Sequence, residues 1–314
     1  MKQFLQVRID VPSGLGDIAV FLAQKVGAKG VEIRDASTLP PPGGKAPAQG
    51  RTHVMAWLDT GTNAEQVAAL LTATLDSMRG EQDGAADPGF DISFETVDAE
   101  DWVRKVREAV QPVRLGKRIL VRPTWRTTDP PAGADLIEIV LDPGLAFGTG
   151  HHATSALCME LLEELLDEIM DRGERPAVLD VGTGSGLLAI TAAKLGAKRC
   201  VGVDNDPVAV RVAAENVSSN GVADTVTITA DSVDELQGPF DVVVANIHLG
   251  VLTEMAPSIA TKLPEEGNLV LSGLLEDQAG MAKQAYADQG LVTLGIRQRD
   301  GWVAISMKRP EEQT

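Results

Sequence analysis

Apolar and polar positions in the first hundred residues follow two different periods. Residues 4–11 alternate like a half-buried strand, whereas residues 14–26 carry apolar side chains at the spacing of a helix face. By the same criteria, strands are predicted at 4–11, 31–33, 53–58 and 91–97, and helices at 14–26 and 63–78. The order βαββαβ is that of a ferredoxin-like split module. We therefore predict an N-terminal α+β domain over residues 1–98.

The second half of the chain alternates short apolar runs with longer helical segments. Strands are predicted at 177–181, 200–204, 226–230, 241–245 and 269–272, and helices at 187–195, 207–220 and 251–263. Strands that alternate with helices predict a parallel, doubly wound α/β sheet that is covered on both faces. Two final runs, 291–299 and 302–308, are joined by Asp300-Gly301, a strong signal for a two-residue hairpin. The sheet is therefore expected to end in an antiparallel ribbon.

A connector separates the two predicted domains. Residues 101–110 form a short amphipathic pattern, residues 117–121 an apolar run, and residues 122–135 a stretch rich in Pro and Thr. Another strand is expected at 136–141. We accordingly predict a linker over residues 99–135 and a second domain over residues 136–310.

Composition narrows the classes of function. The 314 residues include 28 Lys and Arg against 45 Asp and Glu, which gives a net charge of −17. Direct binding to nucleic acid is not expected, because such proteins carry a basic surface. No apolar run approaches the ~20 residues of a membrane span, and no signal peptide is recognisable. With only two cysteines, the pattern predicts a reduced, cytoplasmic protein that does not bind membranes.

A glycine-rich turn is the strongest local motif. Gly182, Gly184 and Gly186 follow the apolar run 177–181 and precede a helix, where glycines let the backbone turn tightly and approach a ligand. Leu187 stands where a dinucleotide fingerprint has its third glycine, which argues against a dehydrogenase that binds NAD. A tight turn alone rarely needs three glycines, so we favour a ligand site.

Acidic residues follow the next two predicted strands. Asp204 lies 22 residues after Gly182, where a carboxylate can accept hydrogen bonds from both hydroxyls of a ribose. It could instead cap the following helix, but Asp206-Pro207 already suits that purpose. Asp231 could bind the exocyclic amine of adenine, although Asp-Ser after a strand is also ordinary turn chemistry. Together these positions predict a ligand that contains adenosine.

Asn246 ends the fourth predicted strand at the same edge. Its amide oxygen can accept an N–H and so orient an amine, with an ordinary turn as the alternative interpretation. Thr154 and Ser155 precede a helix predicted from residue 156, so either hydroxyl can lie at a helix N-terminus. His151, His152 and His248 flank the inferred site, but adjacent histidines do not readily share one ion, and we expect no metal.

At these residues the chain resembles a known family, the bacterial methyltransferases that modify ribosomal protein L11. The matching segments are 142–150, 179–186, 202–207 and 243–247, with further similarity at 101–102, 117 and 123–125. The block Phe147-Gly148-Thr149-Gly150 is much more specific than the glycine-rich turn, which most methyltransferases dependent on S-adenosylmethionine share. By motif, the resemblance covers residues 100–308.

The resemblance implies a seven-stranded Rossmann-like methyltransferase sheet and an N-terminal ferredoxin-like domain that recognises the substrate. It also implies S-adenosylmethionine as methyl donor and amines of ribosomal protein L11 as acceptors. Nothing in the sequence demands a partner subunit, so we expect a monomer. Ser155, Gly182, Asp204 and Asn246 would contact the donor, with Asn246 also the catalytic residue. Ser155 stands where the family usually has Thr, which preserves the hydroxyl.

Two alternatives remain open at the level of the sequence. A related methyltransferase could act on lysines of another protein, such as the electron-transfer flavoprotein β subunit, although those relatives generally lack an N-terminal domain. A non-catalytic sensor of adenosyl ligands would retain Gly182 and Asp204 but have no use for Asn246. His248, which follows Asn246 closely, is a hypothetical proton acceptor.

Overall fold

A computed structural model describes residues 3–28, 30–35, 46–79, 89–98, 110–127, 136–142 and 152–311. The chain divides into two units, Met1–Val110 and Gln111–Thr314. The predicted helix at 101–110 lies almost wholly outside the described residues, as does the specific block at 147–150. Within the described ranges, no helix is both long and apolar enough to cross a membrane.

In the part that the structure describes, the N-terminal unit is an antiparallel sheet with two helices. Its elements are β1 (Gln3–Pro12), α1 (Gly16–Lys25), β2 (Gly30–Arg34), β3 (Arg51–Asp59), α2 (Ala64–Arg79) and β4 (Asp91–Asp98). The strand order is β2-β3-β1-β4. Alternate residues such as Val7, Ile9 and Val54 are buried in one cluster with Leu22 of α1 and Leu71 of α2. The period-2 pattern thus places the apolar face of the sheet against the helices.

The C-terminal unit contains a three-stranded and a seven-stranded sheet. Its strands are β5 (Val113–Leu115), β6 (Ile119–Arg122), β7 (Ile137–Val140), β8 (Ala177–Val181), β9 (Arg199–Val203), β10 (Val226–Thr229), β11 (Val242–Asn246), β12 (Asn268–Leu275), β13 (Val292–Arg299) and β14 (Trp302–Lys308). The larger sheet has the order β10-β9-β8-β11-β12-β14-β13. Its first five strands are parallel, and β14 is antiparallel to both neighbours. At the β13–β14 turn, Asp300 and Gly301 have φ of 52° and 81°, as a two-residue hairpin requires.

Helices cover both faces of this sheet. They are α3 (Ala153–Asp171), α4 (Leu187–Lys194), α5 (Pro207–Ser219), α6 (Leu249–Glu254), α7 (Ala256–Thr261) and α8 (Ala279–Ala287). Successive strand residues enter opposite clusters: Val178 and Val244 pack with α3 and α4, whereas Leu179 and Val243 pack with α6, α7 and α8. This burial on both faces explains the continuous apolar runs.

The predicted helix at 251–263 is wrong, because the segment forms two short helices, α6 and α7, that are separated at Met255. Pro257 lies in the first turn of α7. A proline has no N–H for the i→i−4 bond of a continuous helix, but it fits the first turn of a new one. The apolar spacing passes through both helices and therefore conceals the break.

Two buried side chains fix the three-stranded sheet to the rest of this unit. The carboxylate of Glu163, on α3, accepts hydrogen bonds from the Lys117 N–H at 2.7 Å and from Arg118 Nε at 3.1 Å. The amide of Asn220 bonds both backbone groups of Val140, at 2.9 Å and 2.8 Å. Asn220 thus acts as a strand partner for β7, which leads towards the site.

Candidate functional site

Four predicted site residues follow neighbouring strands of the large sheet. Gly182 comes directly after β8, Asp204 after β9 and Asp231 shortly after β10, while Asn246 is the last residue of β11. Because these strands are parallel and adjacent, their carboxyl ends lie at one edge. Open α/β sheets bind ligands at this edge.

The glycine-rich turn is folded tightly over the end of β9. Gly182, Gly184 and Gly186 have φ of 72°, 53° and 84°, a region that glycine adopts without strain. The N–H groups of Gly182 and Thr183 both donate to the Val203 carbonyl at 2.9 Å. A Cβ at residue 182 would lie 2.3 Å from Cγ2 of Ile247, so the position requires glycine. Glycine at these positions leaves no side chain over the backbone that a ligand would approach.

Asp180 lies beneath this turn and was not among the predicted site residues. Its side chain is buried, and Oδ2 accepts hydrogen bonds from Thr183 Oγ1 at 2.6 Å and from the Ala189 N–H at 3.1 Å. Oδ1 has no partner among the described residues. Burial, aided by the charge of Asp204, raises the pKa of Asp180 to about 6. The signal in the sequence that could have identified Asp180 is an acidic residue inside an apolar strand.

Substitution of Asp180 by Asn is expected to raise the free energy of unfolding at neutral pH. The folded state holds the proton up to a pKa of about 6, whereas the ordinary value is 3.8. Wild-type stability therefore falls as pH rises through this window, by an amount on the order of 3 kcal/mol. Asn keeps an acceptor for Thr183 and carries no charge.

Urea unfolding at pH 4, 5, 6 and 7 measures this effect. The stability difference between Asp180→Asn and the wild type should grow with pH and level off above pH 6. Asp224→Asn, at an exposed position on the same unit, is the matched control and should show no such growth. A difference that stays constant between pH 4 and 7 would contradict the role of burial.

Asp204 supports the glycine-rich turn directly. Its Oδ2 accepts the Gly184 N–H at 2.9 Å, and its Oδ1 accepts the Asp206 N–H at 3.0 Å. Each carboxylate oxygen has a second lone pair, which can accept a ribose hydroxyl. The prediction that Asp206 caps the next helix is confirmed: it is the N-cap of α5, and its Oδ1 accepts the Val208 N–H at 2.8 Å.

Asp231 is exposed at the same edge of the sheet. Its N–H donates to Thr229 Oγ1 at 3.2 Å. The next residue, Ser232, forms a capping box with Glu235 and starts a short 3₁₀ helix. Local turn chemistry is therefore present here, as the alternative interpretation expected. Among the described residues, no contact of the Asp231 carboxylate defines its role.

Thr154 and Ser155 lie in the first turn of α3, which begins at Ala153 rather than at the predicted residue 156. His152 causes the earlier start, because its Nδ1 accepts the Thr154 N–H at 3.3 Å and lies 2.8 Å from Thr154 Oγ1. The His152 ring also packs edge-on against Trp302, with centroids 4.9 Å apart. Both predicted side chains are buried. This capping role of His152 was not predicted from the sequence.

The side chain of Asn246 has a buried acceptor atom that a ligand could bind. Its Oδ1 is buried and has no hydrogen-bond partner among the described residues. A buried acceptor without a partner costs about 1–3 kcal/mol, so such atoms are rare in folded proteins. An incoming N–H group would satisfy it. His248, two residues later, is exposed at the N-cap position of α6 and makes no capping hydrogen bond with its side chain.

The described residues also bear on metal binding. Among them, no three His, Cys, Asp or Glu side chains are grouped closely enough to hold a metal ion. His151 lies outside these residues, and His152 is engaged at the start of α3. The acceptor oxygens and tight backbone at this edge suit an organic ligand with hydroxyl and amine groups.

Comparisons with known proteins give a consistent result. The sequence model of the family described as "Ribosomal protein L11 methyltransferase (PrmA)" matches residues 3–310. A protein of that name from Pelobacter propionicus is 36% identical over 307 residues, 98% of each chain. The one from Symbiobacterium thermophilum is 41% identical over 82% of this chain and 81% of its own.

A solved structure is also similar. The crystal structure of the ribosomal protein L11 methylase from Lactobacillus delbrueckii subsp. bulgaricus matches with a TM-score of 0.57 and 32% identity. The match covers 64% of this chain and 99% of that one.

Proposed function

The chain belongs to the ribosomal protein L11 methyltransferase family, and we propose that it is an enzyme that transfers methyl groups from S-adenosylmethionine to ribosomal protein L11. The buried Oδ1 of Asn246, which has no partner among the described residues, carries this proposal, because it lies at the same sheet edge as the glycine-rich turn. We propose lysine side chains or the N-terminal α-amine as acceptors, since an amine N–H matches that oxygen.

The residues at this edge fit the methyl donor. Backbone turned by Gly182 and Gly184 leaves room for its amino-acid part, and the second lone pairs of Asp204 suit its ribose. Asp231 is assigned to the adenine amine. The residues proposed to bind the donor are Thr154, Ser155, Gly182, Gly184, Asp204, Asp231 and Asn246.

Asn246 is the proposed catalytic residue. Its Oδ1 accepts one N–H of the amine and thereby directs the nitrogen lone pair along the line of attack. The donor supplies an electrophilic methyl group on a sulfonium, so one N–C bond forms as one S–C bond breaks. The amine must first be neutral, although free amines have a pKa of ~8 to ~10.4. Burial at the site lowers that pKa, and exposed His248 is the candidate that accepts the released proton.

We also propose a role for each domain and for the linker, consistent with this activity. We propose that residues 1–98 are a ferredoxin-like domain that recognises the substrate, that 99–135 are a linker, and that 136–310 are the seven-stranded Rossmann-like methyltransferase domain. The order β2-β3-β1-β4 supports the first assignment. The net charge of −17 favours a Lys-rich protein partner over nucleic acid or membrane. We further propose a cytoplasmic monomer.

Transfer of radiolabelled methyl groups into purified ribosomal proteins tests the proposed function. We expect label in ribosomal protein L11 and none in L11 whose amines have been acetylated. Label in a different protein alone would contradict the substrate, and label in acetylated L11 would contradict an amine acceptor. Calorimetry should show binding of S-adenosylmethionine and S-adenosylhomocysteine but not NAD. Donor binding without transfer to any protein would favour the sensor.

A further inference from the structure

Ile247, directly after Asn246, is enclosed by two glycines from different parts of the sheet. On one side, a Cβ on Gly182 would lie 2.3 Å from the Ile247 Cγ2 atom. On the other side, a Cβ on Gly273 would lie 2.6 Å from the backbone oxygen of Ile247, 2.8 Å from its carbonyl carbon and 3.0 Å from its nitrogen. Neither glycine can gain a side chain unless Ile247 moves.

A β-bulge brings Gly273 to this position. The pairing of β12 with β14 shifts register between Leu271 and Leu274. Within the bulge, buried Ser272 donates from Oγ to the Val303 carbonyl at 2.8 Å, and Gly273 has a φ of 82°. Ser272 is also the residue that pairs with Asn246 across β11 and β12. The bulge is therefore anchored on both sides and gives a fixed surface for the Ile247 backbone.

We propose that Ile247 is a positioning residue that sets Asn246 relative to the glycine-rich turn, and that Gly273 is required because only a bare Cα leaves room for the Ile247 backbone. This inference rests on the proposed function. Ile247 is half-buried and packs against the apolar cluster of α6, α7 and α8, so it has little freedom to move away. Its contacts thus join the donor-binding turn to the residue that receives the amine.

The two contacts differ in stiffness. Gly182 meets the Cγ2 methyl of the Ile247 side chain, whereas Gly273 meets backbone atoms, which cannot move unless the chain itself moves. A backbone displaced at residue 247 carries Asn246 with it, because the two share a peptide bond. A displacement of about 1 Å in a catalytic group can cost 100-fold in rate. Changes at Gly273 should therefore alter kcat more than the affinity for the methyl donor.

Gly273→Ala and Gly290→Ala form a matched pair. Both glycines have a φ of 82°, but a Cβ at residue 290 would meet nothing within 4 Å. We expect Gly273→Ala to lower kcat for methylation of ribosomal protein L11 about 10-fold or more, with a smaller change in the Kd for S-adenosylmethionine. Gly290→Ala should keep both constants. Equal kcat values for the two variants would overturn the inference.

Donor binding tests the same inference without turnover and in variants that leave Gly273 intact. Calorimetry with S-adenosylmethionine should show a large loss of affinity in Gly182→Ala. The added change Ile247→Ala removes Cγ2 and should restore the affinity for S-adenosylmethionine at least several-fold, because the effects of changes at residues in contact are not additive. If the effects of Gly182→Ala and Ile247→Ala are additive, the side-chain contact does not join the two sites.

The controls separate this inference from the proposed function. If the wild-type protein binds the donor but leaves ribosomal protein L11 unlabelled, the proposed substrate is contradicted. Donor binding by Gly182→Ala, Ile247→Ala and the double variant still decides the role of Ile247. Wild-type protein that labels L11 alongside an unimpaired Gly273→Ala contradicts the inference alone. Urea unfolding of each variant verifies that kcat is compared between folded proteins.

Discussion

Substitution of Asn246 by Ala is expected to lower kcat for methyl transfer to ribosomal protein L11 by about 100-fold, the scale of a lost orienting contact. The variant removes Oδ1, the buried acceptor that has no partner among the described residues. The amine would then enter with its lone pair undirected. Stability should not fall, because removal of an unsatisfied buried acceptor relieves a cost. Initial rates at saturating donor measure kcat, and urea unfolding measures the stability.

Asn268→Ala is the matched control for this experiment. Asn268 is also a buried asparagine on the large sheet, but it begins β12 and pairs with Val242, at the opposite end of β11 from Asn246. Its loss should leave kcat unchanged. Comparable kcat values for Asn246→Ala and the wild type would show that the amine is oriented by another group.

An unchanged pH–rate profile for His248→Ala would exclude His248 as the proton acceptor.

The placement of several candidate site residues at one edge of the sheet could be predicted because it depends on strand ends. Four apolar runs of the large sheet stop close to a residue with chemical function, and parallel strands bring those residues to one edge. Gly182, Asp204 and Asn246 were therefore identifiable without knowledge of side-chain positions. Local rules were equally reliable for Asp206-Pro207, where the cap and the proline act within one helical turn.

Features that depend on contacts distant in sequence could not be predicted. The bulge at Gly273 arises from the pairing of β12 with β14, and its significance lies in Ile247, 26 residues earlier in the chain. His152 gains its role from a side-chain bond to a helix start, a role for which histidine is not a preferred residue. Asp180 gains its raised pKa from burial, which a sequence pattern indicates only indirectly.

Substitution of Asp204 by Ala is expected to weaken binding of S-adenosylmethionine at least about 100-fold. Two effects combine. The donor's ribose loses a charged acceptor, and hydrogen bonds to charged groups contribute about 1.5–3 kcal/mol each. The N–H groups of Gly184 and Asp206 also lose their partner, so the glycine-rich turn is no longer held in shape. Calorimetric titration with the donor measures the loss.

Asp241→Ala is a control that distinguishes loss of donor binding from loss of support for the backbone. Asp241 precedes β11, at the opposite edge of the sheet, where its Oδ2 accepts the Ala177 N–H at 2.6 Å. Its removal should lower the free energy of unfolding and leave donor affinity unchanged. Asp204→Asn should fall between wild type and Asp204→Ala, because the amide keeps one acceptor oxygen but no charge. If Asp204→Ala bound the donor as tightly as Asp241→Ala, the ribose would have to be held elsewhere, and the carboxyl end of β9 would lose its assignment to the donor site.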